Sequence, residues 1–191
     1  TAHAPDIGGK IRSPEPREVY EEGLQIPLLK LHEAGRPNQT LLSILRKNVR
    51  MADQVEGDLE AQLGALAIME RRFDELIATY QLSDLTALSD AVRKRTETAV
   101  RQAIAALPDG RYGATVQTDG LADTPLEIRV EVEIKGDAVH IDFAGSSDQV
   151  PKAVNCPLCY TRAMSSYAIK AALAPELPNN DGALQPITVT A

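Results

Sequence analysis

A chain of 191 residues with 43% hydrophobic and 25% charged residues is ordinary globular material, which excludes a disordered, collagenous or low-complexity protein. Its 27 acids against 20 bases leave a net charge of −7, and no stripe of Lys and Arg is present to neutralise phosphates, so nucleic acid is not an expected partner. No apolar run approaches the roughly 20 residues of a membrane span, and the opening TAHAPDIGGK has neither the basic nor the apolar region of a signal peptide, so we expect a cytoplasmic protein with no membrane partner.

Aromatic residues make up only 4% and Trp is absent, so the core must come from Leu, Ile, Val and Ala, with few platforms for stacking bases or sugars. The first forty residues are rich in Gly and Pro. One short helix is expected there, capped by Ser13 with Pro14 at its first position and Glu15 and Glu18 near its positive end, and stopped by Gly23 or Pro27. Gln25 to Leu31 reads as extended, and Gly35-Arg-Pro-Asn38 is turn chemistry.

From Asn38 the period becomes helical. Leu41, Leu42 and Leu45 open it, and a run from about Ala52 to Tyr80 sets Val55, Leu59, Leu63, Leu66, Phe73, Leu76, Ile77 and Tyr80 at spacings of three and four. A third helix is expected after a Ser83 cap, with a stripe of Leu85, Leu88, Val92, Ala99, Val100, Ala103, Ile104 and Leu107, ended by Pro108-Asp109-Gly110. Two long helices joined by a short loop suggest an antiparallel hairpin.

After Gly110 the period falls to two. Leu126, Ile128, Val130, Val132 and Ile134 alternate with charged residues, Gly136-Asp137 reads as a two-residue hairpin turn, and Val139, Ile141 and Phe143 resume the alternation. Arg111 to Thr118 is a further strand, Tyr160 to Leu173 a helix and Ile187 to Thr190 a last strand. The expected class is α+β: a long-helix hairpin with a mostly antiparallel sheet. Its organisation is a Gly/Pro-rich, site-like segment over 1–37, a helical hairpin over 38–108 and a β-rich region with one helix over 109–191.

Three places carry candidate chemistry. His3 and Asp6 stand three apart in His-Ala-Pro-Asp-Ile-Gly-Gly, where a turn can aim an imidazole and a carboxylate at one ion. That pair suits Mn, Fe or Zn better than Ca, although an ion needs two to four further ligands. Asp142-Phe-Ala-Gly145-Ser146-Ser147 leaves a strand for a Gly/Ser turn that can present N–H and hydroxyl groups to an anion, but it lacks the Gly-Lys-Ser/Thr ending of a P-loop. Cys156-Pro-Leu-Cys159 stands before a helix, a redox-like position, yet the βαβ context of a thiol oxidoreductase is missing and packing of two small thiols is the plainer reading. Glu21 and Glu22 before Gly23 supply a further candidate carboxylate, and His140 reads as a surface residue beside Asp142.

Six stretches in the same order, HAPDIGG at 3–9, EVYEEGLQIPLLKLHEAG at 18–35, NVRMADQVEGDLEAQLGA at 48–65, ALPDGRY at 106–112, DFAGSSDQV at 142–150 and LPNNDGALQPITV at 177–189, make the whole chain resemble one family. It is the B subunit of hydantoinase and 5-oxoprolinase, which is also similar to a large subunit of acetone carboxylase. The resemblance implies ATP-dependent opening of a cyclic amide, a small-molecule substrate, with ATP held by an A-type partner subunit. It implies a divalent metal held in part by His3 and Asp6, and it favours Asp142, Gly145, Ser146 and Asn155 as loop elements near the substrate, to which the residue pattern itself adds Glu22. It gives Cys156 and Cys159 no role. Typical members are several times longer and carry an upstream segment with further ligands, so the expectation is an internal piece of a larger multidomain subunit that acts with the remainder of that subunit. Ketone carboxylation is the alternative chemistry, and a non-catalytic module that docks a partner through its long helices is the alternative of another class.

Overall fold

The computed structural model describes residues 6–9, 14–121 and 124–191. The class is α+β, and the chain divides into two compact units: Thr1–Ser83 with Val150–Asn155, and Asp84–Gln149 with Cys156–Ala191. The division falls between the two long helices.

In the first unit, strands β1 (His32–Glu33) and β2 (Arg36–Pro37) form a small ladder. Its turn residues, Ala34 and Gly35, have φ of 48° and 75°, the left-handed pair that a two-residue hairpin requires. Helix α1 (Gln39–Asn48) starts where Asn38 Oδ1 accepts the Leu41 N–H at 3.1 Å. Helix α2 runs from Ala52 to Tyr80, the span its periodicity predicts, and ends with Gln81 in the left-handed region and the Leu82 N–H bonded back to Ile77 at 3.0 Å. Arg46 joins α1 to α2 by reaching Asp53 and Glu56, each at 2.6 Å. The unit's core is small: Leu45 and Val49, with Leu24, Ala52, Val55 and Leu59 packed on them. None of the 29 residues of α2 is buried in this chain.

The helix expected to begin at Pro14 is absent, and only a 3₁₀ turn forms at Val19–Glu21. The physical reason is local. The Pro14 carbonyl, which a helix would pair with the Glu18 N–H, instead accepts the Ala153 N–H at 3.1 Å, and Glu18 is extended with φ of −135°. Ser13, its expected cap, lies outside the described residues. The segment Gln25 to Leu31 joins no ladder.

The second unit holds helix α3 (Thr86–Ala105), strands β3 (Gly110–Leu121), β4 (Thr124–Lys135) and β5 (Ala138–Asp142), helix α4 (Leu158–Leu173) and strand β6 (Ile187–Thr190). Helix α3 begins later than a Ser83 cap would set it, because the Asp84 carboxylate takes the Thr86 N–H at 2.7 Å. The sheet order is β3-β4-β5-β6, antiparallel except for the parallel β5–β6 pair. Gly136, with φ of 61°, makes the two-residue turn between β4 and β5, and its N–H is held by Asp109 at 2.8 Å.

Alternation places Val139, Ile141, Ile187 and Val189 on one face of the sheet, where they pack with Val100 and Ile104 of α3 and with Ala174 and Ala183. Ile104 and Val100 are fully buried, each contributing on the order of 2 kcal/mol of transfer free energy. The expected apolar stripe of α3 is covered only in part, since Leu88 and Val92 are exposed. The 3₁₀ turn Asp181–Ala183 docks on α3: Asn180 Nδ2 donates to Thr96 Oγ1 at 2.9 Å, and Gly182 lies so close that a Cβ there would sit 2.1 Å from the Arg93 carbonyl.

Candidate functional site

The candidate residues fall in both units. In the first, the turn Asp6–Gly9 is fixed by main chain and by one side chain. The Arg50 N–H donates to the Asp6 carbonyl at 2.8 Å, and Arg50 Nε lies 3.8 Å from Asp6 Oδ1. Gly8 has φ of 88° and sits beneath the same guanidinium, where a Cβ would come within 2.9 Å of Nη2. A Cβ on Gly9 would come within 2.7 Å of the Glu21 carbonyl, so close approach of main chain requires glycine there, whereas at Gly8 the requirement is the left-handed backbone. Asp6 is half-buried.

His3 lies outside the described residues. Among the described residues no three His, Cys, Asp or Glu side chains converge as a metal site. An ion bound at Asp6 would therefore need ligands from outside the described residues. Glu22 is exposed at the end of the 3₁₀ turn, with its N–H on the Val19 carbonyl at 3.1 Å. Asn155 closes the 150–155 loop: its Oδ1 takes the Val150 N–H at 3.0 Å, and its Nδ2 donates to the Val150 and Lys152 carbonyls at 2.6 and 2.8 Å.

In the second unit the Gly/Ser turn is stitched to β4. Ser146 Oγ accepts the Arg129 N–H at 3.0 Å and lies within donating distance of the Phe143 carbonyl at 2.8 Å. Ser147 Oγ accepts the Glu127 N–H at 2.9 Å, and its own N–H donates to the Glu127 carbonyl at 2.8 Å. Gly145, with φ of 85°, lets the turn pass under Arg129. The hydroxyls thus continue the sheet beyond the end of β5. An open cavity of about 310 Å³ lies here, lined in part by Thr115, Arg129, Glu131 and Asp142.

Asp142 belongs to a polar network on the face of the sheet opposite the core. It accepts from Thr190 Oγ1 at 2.8 Å and from the Ala144 N–H at 3.1 Å, and its pKa is lowered, first by the Thr190 hydroxyl and then by that N–H. His140 Nδ1 meets Thr188 Oγ1 at 2.9 Å, and Nε2 lies 3.4 Å from Thr190 Oγ1. On the neighbouring strands Arg111 bridges Glu131 and Glu133, both at 3.2 Å. Alternation marks His140 and Asp142 as sharing a face, but the partners Thr188 and Thr190 follow from parallel pairing that no local pattern announces. Arg50 carries no periodic signal either, although it falls within the matching stretch 48–65. Cys156 and Cys159 are free and exposed, and no helix among the described residues is long and apolar enough to cross a membrane.

The sequence profile of the hydantoinase B/oxoprolinase family matches residues 1–191. A protein of Pseudomonas sp. (strain NS671), named as the B subunit of a D-/L-hydantoinase, is 33% identical, over all of this chain and 35% of its own length. The crystal structure of the ATP-dependent caprolactamase from Pseudomonas jessenii superposes with a TM-score of 0.84 at 30% identity, over 96% of this chain and 32% of that one. The nucleotide-free acetone carboxylase structure shares the fold, with a TM-score of 0.78 at 18% identity, over 97% of this chain and 27% of that one. The chain thus spans about a third of the length of the relatives it matches.

Proposed function

This chain belongs to the hydantoinase B/oxoprolinase family, and from that premise we propose that it is part of the B-type subunit of an ATP-dependent enzyme that hydrolyses a cyclic amide. The observation that carries the reading is the match to the caprolactamase over 96% of the chain, because sequence and fold agree there. The partner is an ATP-binding A-type subunit together with the rest of the B-type subunit, and the compartment this reading assumes is the cytoplasm.

The chemistry explains why ATP is needed. An unstrained cyclic amide resists attack because its carbonyl is deactivated by resonance and its nitrogen leaves poorly. Phosphorylating the amide oxygen on the partner's side creates an imidate-like electrophile that water can open. The B-type side then has to bind the ring, orient it and present water. A divalent cation held by His3, Asp6 and ligands from outside the described residues would polarise a carbonyl or lower the pKa of bound water. The residues of this chain supply the frame: the glycines of the Asp6–Gly9 turn bring main chain and one carboxylate to a fixed place.

Two substitutions test this reading in the full-length complex. His3→Ala and Asp6→Ala should each lower bound Mn, Zn or Fe and lower ring opening coupled to ADP release, assayed with a hydantoin, a lactam and 5-oxoproline. Unchanged metal content and turnover in both variants would remove these residues from the site. Turnover of a ketone with bicarbonate, and of no cyclic amide, would replace hydrolysis with carboxylation. At 18% identity the likeness to acetone carboxylase speaks to fold alone, so the hydrolase reading stands first.

A further inference from the structure

Arg50 lies in the short link between α1 and α2, and no property of either helix requires an arginine there. Its contacts go to the glycine turn. Its main-chain N–H holds the Asp6 carbonyl at 2.8 Å, its Nε faces Asp6 Oδ1 at 3.8 Å, and its guanidinium covers Gly8. The preceding residue, Val49, is buried in the core of the unit with Leu45, so the link is anchored from below. A lysine would carry the charge but not the planar group that lies over a glycine.

We propose that Arg50 is a positioning residue: it clamps the Asp6–Gly9 turn to the α1–α2 core and sets the direction of the Asp6 carboxylate. The inference deepens the functional reading above and rests on it for what that carboxylate binds. The clamp itself rests on the contacts alone. Gly8 lies in direct reach of the guanidinium, and its φ of 88° is what restricts substitution there, since the arginine tip itself could move aside.

The test uses the full-length subunit with its A-type partner and the variants Arg50→Gln and Arg50→Lys. Hydrogen exchange of the residue-50 amide, which is bonded to the Asp6 carbonyl, should speed at least tenfold in Arg50→Gln, while amides of β4 exchange as before. Mn²⁺ affinity and kcat should each fall at least tenfold, with KM for ATP unchanged, and Arg50→Lys should recover only part of either. Unchanged exchange at residue 50 overturns the clamp. Faster exchange with wild-type kcat and Mn²⁺ affinity overturns the positioning role, leaving only a structural one. If the wild-type complex binds no Mn²⁺, the metal reading fails separately, and exchange with kcat decides the clamp.

Discussion

Thr190 Oγ1, on the edge strand β6, donates to Asp142 Oδ1 at 2.8 Å on the neighbouring parallel strand β5, where the two residues are paired in register. Together with the Ala144 N–H, this hydroxyl holds the Asp142 carboxyl below its ordinary value. A carboxylate whose folded pKa is depressed contributes stability above its unfolded pKa, about 3.9, and loses it as pH falls through the folded value. Thr190→Val should raise the Asp142 pKa toward the ordinary value, seen in a ¹³C carboxyl titration, and Asp142→Asn should flatten the acid limb of stability below about pH 4. A titration unmoved by Thr190→Val would show that the hydroxyl is not the cause.

Gly182→Ala should destabilise the second unit by about 3 kcal/mol or more, because the new Cβ meets a main-chain carbonyl that cannot rotate away. Urea denaturation measures it. A loss under about 0.5 kcal/mol, the range of an ordinary surface substitution, would mean that the 3₁₀ turn is not held against α3 as described.

Ser146→Ala removes the oxygen that accepts the Arg129 N–H and frees the turn from β4. The expected cost is about 1–2 kcal/mol of stability, with KM for the proposed cyclic-amide substrate unaltered. A raised KM at unchanged stability would instead put this hydroxyl in contact with substrate.

Arg46 bridges Asp53 and Glu56 on the surface, and these acids raise its pKa. Arg46→Ala should loosen the α1–α2 corner at low salt, read as faster exchange of the Leu45 and Val49 amides. In about 0.5 M salt, where screening acts within a few ångströms, the difference from wild type should largely vanish. A difference independent of salt would assign the effect to lost packing of the arginine stem.

Legibility follows the length and regularity of each pattern. Helix α2 is legible to both ends because 29 residues keep one period, and β4–β5 because alternation continues in phase across Gly136. The segment before Gly23 departs from its local pattern because its outcome depends on Ala153, a residue distant in sequence that takes the Pro14 carbonyl. The start of α3 departs from it because Leu85 takes the N-cap position and the Asp84 carboxylate, one residue earlier, holds the Thr86 N–H. At the candidate site, Asp6 and the Gly/Ser turn stand out by residue type and spacing. Arg50, Thr188 and Thr190 do not, since their importance arises from partners brought to them by the fold.

The sheet also imposes an order of assembly. The β4–β5 hairpin closes over two residues, whereas β6 joins β5 only after everything from Phe143 to Pro186, α4 included, has been laid down between them. Loop-closure entropy makes the first event early and the second late. Changes at Gly136 should therefore slow refolding, while changes at Val189 should chiefly hasten unfolding. The Asp142–Thr190 bond then serves as a latch that engages once the last strand has arrived.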